Sequence, residues 1–132
     1  MASEQGHHSI VKKLLESNAN IEQAKNSGST PIYAASQNGH PDIVQTLLNA
    51  GVKNLHGFKI FSILHAASKK NHHEVVKVIL NNSKGRDLID DATNNFNDTP
   101  LTYAIQCDAD LNLVKLLINA GANYMKLGDG SE

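Results

Sequence analysis

Apolar residues recur along this chain as paired doublets: Ile10-Val11 with Leu14-Leu15, Ile43-Val44 with Leu47-Leu48, Val75-Val76 with Ile79-Leu80, and Leu113-Val114 with Leu117-Ile118. Positions i, i+1, i+4 and i+5 share one stripe of a helix with 3.6 residues per turn, so each segment is predicted to be an amphipathic helix with a single face to bury. Gln45, Lys77 and Lys115 fall on the opposite, polar side. The copies begin 33, 32 and 38 residues apart. A period near 33 residues indicates an array of supersecondary units that bury their apolar faces only by stacking.

A shorter helix precedes the amphipathic one in the later units. It is rich in small residues, Ala34-Ala35, Ala66-Ala67 and Ala104, which let a neighbouring backbone approach closely. In Thr30-Pro31 and Thr99-Pro100 the hydroxyl can cap free N–H groups, while proline stands at the first helical position, where its missing N–H costs nothing. Ser62-Ile63 keeps the cap without the proline. His40-Pro41-Asp42 opens a second helix in the same manner, with the Asp carboxylate favoured by the helix dipole. Gly51 and Gly121 supply the left-handed residue that ends it. Two packed helices per unit are predicted.

The stretches Gly28-Ser29-Thr30-Pro31, Asn38-Gly39-His40, Leu64-His65-Ala66-Ala67, Thr99-Pro100-Leu101 and Asn119-Ala120-Gly121-Ala122 fall in one register. Through them the chain resembles the ankyrin-repeat family over nearly every residue. The resemblance implies an all-α solenoid of stacked helix-turn-helix units with hairpin-like finger loops. It divides this single domain into a truncated repeat at 1–24, then repeats at 25–57, 58–93 and 94–132.

Three departures from that pattern stand out. The first unit lacks the Thr-Pro half of its first helix, and the last helix presents Leu111, Leu113, Leu116, Leu117 and Ile118. Solenoid ends need a polar outer face, so the chain is expected to be a segment of a longer array. In the third unit Phe58, Lys59, Ile60 and Phe61 replace a polar finger tip, with Ile60 where the family has glycine. An insertion runs from Asn81 to Asp91, and its Leu88 and Ile89 are expected to tuck against the array.

Composition narrows the partners. The 132 residues carry a formal net charge of -1, and no run of Lys or Arg exceeds two residues, which argues against general nucleic-acid or membrane-surface binding. No stretch approaches a transmembrane helix, and Met1 to Gly6 lacks the features of a secretion signal. Cys107 is the only cysteine, which agrees with a reducing compartment. An intracellular, cytoplasmic protein is expected, with the nucleus also open to it.

Candidate chemistry is sparse. His7-His8, His40 and His72-His73 share a register, but equivalent residues in successive units lie about 8–10 Å apart, whereas zinc holds its nitrogens at about 2.0–2.1 Å. Asp108 and Asp110 beside Cys107 disfavour a thiolate. Gly85 is isolated and no phosphate-binding loop exists. Asp90-Asp91 reads as a solvated loop, and Lys12-Lys13 and Lys69-Lys70 as solvated faces. No catalytic residue, metal site or cofactor is expected. The resemblance gives His65 and the histidine heading each second helix structural hydrogen bonds.

The resemblance also implies a concave surface of finger tips and first helices that holds another protein. Transferred position by position, the tips are Asn26, Ser27 and Ser29, then Phe58, Lys59 and Phe61, then Asn95, Phe96 and Asp98. First-helix contributors are Glu4 and Gln5, Gln37 and Asn38, Lys69 and Lys70, and Gln106 and Cys107. Phe58, Phe61 and Phe96 are the chain's three phenylalanines, and exposed aromatics flanked by polar residues suit an interface. For Phe58 and Phe61 a core role is the competing expectation, because a turn that has lost its glycine must be held by something. Lys59, Lys69 and Lys70 beside Asp98, Asp108 and Asp110 would make the groove positive at its middle and negative at one end. The expected function is a non-catalytic protein-binding module or scaffold, monomeric, with end-to-end stacking possible. A nucleotide- or nucleic-acid-binding array is the alternative, and an enzyme subunit the weakest.

Overall fold

In the computed structural model the described residues are 30–94 and 96–124, the side chain of Phe58 apart. They form seven α-helices: α1 Pro31–Asn38, α2 Pro41–Asn49, α3 Ile63–Lys69, α4 His73–Asn81, α5 Ser83–Arg86, α6 Pro100–Gln106 and α7 Leu111–Asn119. Helices α1, α3 and α6 pack side by side as one layer, and α2, α4 and α7 as a second. The pairs α1–α2, α3–α4 and α6–α7 join the layers, so the described part is an all-α stack of helix pairs.

The expected caps are in place. Thr30, Ser62 and Thr99 accept from the backbone N–H of Tyr33, His65 and Thr102, and Gly51 and Gly121 adopt φ of 85° and 102°. The apolar doublets carry the core: Ile43, Val44, Leu47, Val75, Val76, Ile79, Leu113 and Leu117 are buried. The i+5 position behaves differently along the stack. Leu48 is 7% exposed, Leu80 is half-buried and Ile118 is 40% exposed. Leu48 stands on α2, which packs on α4, and Leu80 on α4, which packs on α7, whereas Ile118 stands on α7, the last described helix.

Histidines stitch neighbouring units together. His72 Nε2 donates to the Gln37 carbonyl at 2.9 Å, at the end of α1. His73 Nε2 meets Asp110 Oδ1 at 2.9 Å, and His56 Nε2 meets Asp91 Oδ2 at 2.8 Å. The Asp90-Asp91 pair is therefore not the solvated loop expected from sequence. Asp91 also accepts from the Thr93 N–H at 3.0 Å and hydroxyl at 2.8 Å, while Asp90 Oδ1 accepts from the Asn123 N–H at 2.8 Å. Burial pushes the Asp91 carboxyl up, but these donors outweigh it and hold it below its ordinary value. The insertion does tuck in as expected: α5 follows an Asn82 cap, Leu88 is 6% exposed and Ile89 packs against the core.

Candidate functional site

The fingers of the third and fourth units lean over α1, α3 and α6. The third is pinched at its base, where Gly57 N–H donates to the Phe61 carbonyl at 2.9 Å and Ile63 N–H to the Leu55 carbonyl at 2.9 Å. Its tip is a single turn, Phe58–Ile60, in which Lys59 has φ 53° and Ile60 has φ 64°. Left-handed backbone is costly for a β-branched residue, and Ile60 occupies the family's glycine position. Asn97, two residues before the Thr99 cap as Ile60 is before Ser62, has φ 58°. Asparagine tolerates this conformation well. Replacing Ile60 with glycine is expected to stabilise the protein by about 0.5–1 kcal/mol, the relief of strain exceeding the added chain entropy. Thermal unfolding of Ile60→Gly measures it.

The fourth finger is wound around Asn94, whose side chain is buried. Asn94 Oδ1 accepts from the N–H of Phe96 at 2.9 Å and of Asp98 at 3.2 Å, and its Nδ2 donates to the Asp98 carbonyl at 2.6 Å. The same carbonyl accepts from His65 Nε2 at 2.6 Å. On its other side, His65 Nδ1 accepts from the Ser62 N–H at 3.2 Å, which completes a capping box at the start of α3. His65 is 0% exposed, and burial is the main reason its pKa lies below the ordinary value. The neutral tautomer with hydrogen on Nε2 satisfies both contacts, so one imidazole fixes the third unit's cap and the fourth unit's finger.

Between the fingers and the first helices lies a groove of about 420 Å³. Its aromatic wall is a row of rings. Phe61 lies 4.5 Å from Tyr103, with 27° between ring planes, and 5.7 Å from Phe96, at 18°. Only 5% of Phe61 is exposed, whereas Phe96 is 55% exposed. Tyr33 closes the far side, and its ring lies so near Gly57 that a Cβ there would come within 2.4 Å of it. Burial, with Tyr103 nearby, pushes the Tyr33 phenol up to about 12. Tyr103 is also raised, again chiefly by burial, so both phenols are neutral. The floor is Ala66 of α3, small enough to leave the space open.

Polar residues rim this groove. Gln37, Lys69 and Gln106 hold equivalent positions near the ends of α1, α3 and α6. Lys59 and Asp98 contribute from the fingers, with Lys59 Nζ 5.4 Å from the centre of the Phe96 ring. Asp98 Oδ1 accepts from Gln106 Nε2 at 3.3 Å.

Of the residues expected at the partner surface, the structure brings Gln37, Lys59, Phe61, Lys69, Phe96 and Asp98 together on this groove. Phe61 answers to the core expectation and forms the wall rather than the rim. Asn38 is turned to its own helix, donating to the Ala34 carbonyl at 2.9 Å. Lys70 caps α3 and does not line the groove. Asn26, Ser29, Asn95 and the side chain of Phe58 lie outside the described residues. Of the three aspartates expected at the negative end, Asp98 lines the groove and Asp108 and Asp110 do not; Asp110 caps α7 through the Leu113 N–H at 2.9 Å and pairs with His73. Tyr33 and Tyr103 were not among the expected site residues. The signal for Tyr103 is an aromatic at the position where the preceding units have Ala34 and Ala66.

The family model described as ankyrin repeats (3 copies) matches residues 1–57 and 49–127. The chain belongs to the ankyrin-repeat family. It is 38% identical over 81 residues, 60% of its length, to the probable E3 ubiquitin-protein ligase XBOS32 of Oryza sativa subsp. japonica, covering 16% of that protein. To the ankyrin repeat and SOCS box protein 11 of Mus musculus it is 31% identical over 97 residues, 67% of this chain and 30% of that one. To the human transient receptor potential cation channel subfamily A member 1 it is 38% identical over 65 residues, 48% of this chain and 6% of that one. The chain thus spans less than a third of the length of each of these relatives. Among its described residues no helix is long and apolar enough to cross a membrane.

Proposed function

We propose that this ankyrin array is a non-catalytic interaction module that holds a partner protein in the groove between its third and fourth fingers and the first-helix layer. The observation that carries the reading is Phe96: a large ring left 55% exposed, stacked on a buried aromatic row and rimmed by polar side chains. That is the make-up of an interface anchor, an aromatic group beside a pocket with a polar surround. The left-handed Lys59 and Ile60 add support, since backbone strain at a finger tip is kept where the tip's shape matters. One relative's name sets ankyrin repeats beside a SOCS box, which agrees with a recognition role for the repeats. A monomer in a reducing, intracellular compartment suits this role and the lone Cys107 thiol.

Phe96→Ala tests it. The variant is expected to lose capture of the partner from native extract, while its melting temperature stays within about 2 °C of the parent, because the deleted ring is mostly in solvent. Unchanged capture would remove the groove from the account.

A further inference from the structure

We infer that the groove is built for an acidic peptide segment carrying one aromatic or large aliphatic anchor; this deepens the protein-binding reading and rests on it. The rings argue first. Phe61 lies nearly parallel to both Tyr103, at 27°, and Phe96, at 18°, so the faces of these rings are turned to one another. A box for a cationic side chain needs aromatic faces standing apart around a space. Here the outer ring, Phe96, already has a cation of the chain itself, Lys59 Nζ, at 5.4 Å from its centre.

Charge argues second. The groove is lined by two ammonium groups, Lys59 and Lys69, and by one carboxylate, Asp98, which already accepts a hydrogen bond from Gln106. A cationic ligand would meet two like charges and one opposite, whereas carboxylates beside an anchor would meet two opposite charges and one like, and such complementarity governs partner choice and encounter rate. Size argues third. The volume of about 420 Å³ is at the small end of ligand pockets, and above the Ala66 floor it suits an anchor side chain with its neighbours held at the rim. Two lysines on a chain of net charge -1 do not make the continuous basic track that a nucleic-acid strand requires.

A displayed library of random heptapeptides with a fixed central phenylalanine, selected on the protein, tests the chemistry. Asp and Glu are expected to outnumber Lys and Arg around the phenylalanine. The selected peptides are expected to bind Lys69→Glu about tenfold more weakly, at an unchanged melting temperature, and to weaken as salt is raised. Lys69→Gln, which removes the charge without reversing it, should fall between the two. Selection of basic or uncharged flanks that still depends on Phe96 would overturn the acidic chemistry and leave the groove reading in place. No enrichment, or peptides indifferent to both Phe96→Ala and Lys69→Glu, would overturn both. Tighter binding of a single-stranded oligothymidylate than of the selected peptides would overturn the inference in favour of nucleic acid.

Discussion

Replacing Phe61 with alanine is expected to destabilise the protein by about 3–5 kcal/mol, the range for deleting a buried phenylalanine. Little of this cost can be recovered by relaxation. The ring is only 5% exposed and touches Tyr103, Phe96 and His65, with centroids at 4.5, 5.7 and 5.4 Å, so its loss leaves three aromatic neighbours facing a void. Stacked and tilted pairs of this kind contribute beyond the area they bury. A fall in melting temperature of about 10–20 °C should follow for a domain of this size. The contrast with Phe96→Ala is the informative part. The two rings stack on each other, yet one variant should unfold early and bind weakly only in consequence, while the other should melt normally and fail to bind. A Phe61→Ala protein with the parent's melting temperature would show that the finger is held by something else.

His65→Ala is expected to cost about 2–4 kcal/mol, as the sum of a lost cap and a broken buried hydrogen bond. The alanine removes the acceptor for the Ser62 N–H and the donor to the Asp98 carbonyl, so the start of α3 and the fourth finger loosen together. Local exchange of the Asp98 to Thr102 amides should rise along with that of Ser62 to Ala66. The residue also carries a pH signature. In the folded chain its pKa lies below the ordinary 6.5 because burial disfavours the charged ring, so the unfolded chain binds this proton more readily. Its contribution is therefore complete above about pH 7 and is lost as the pH falls through 6.5 toward the lower folded value. Acidification over that window should lower the melting temperature of the parent more than that of His65→Ala. Asp91, Asp98 and His56 act on this ring only as secondary influences. Parallel curves for the two proteins would contradict the neutral buried ring.

The stacking of this protein is legible in its residues because the signals that specify it are local. Doublets such as Ile43-Val44 with Leu47-Leu48 state both the helix and the face it buries, and Thr30-Pro31, Thr99-Pro100, Gly51 and Gly121 state where helices begin and end. The groove is only half legible. Lys59, Phe96 and Asp98 follow from their places in the finger register, but the separate fates of Phe61 and Phe96 do not. Which ring is buried depends on how each tip folds: two consecutive left-handed residues, Lys59 and Ile60, in one finger, and hydrogen bonds to the buried Asn94 in the other. Neither arrangement has a periodic signature. The same holds for Asp91, whose partner His56 is 35 residues away and becomes its neighbour only when units stack.

The proposed groove divides into residues that hold the fold and residues that would meet a partner. The dissociation constant of Phe96→Ala for the captured partner, measured beside its melting temperature, tests that division most directly. Affinity about tenfold or more below the parent, with unfolding unchanged, is the result expected. Parental affinity in a normally folded Phe96→Ala protein would contradict it.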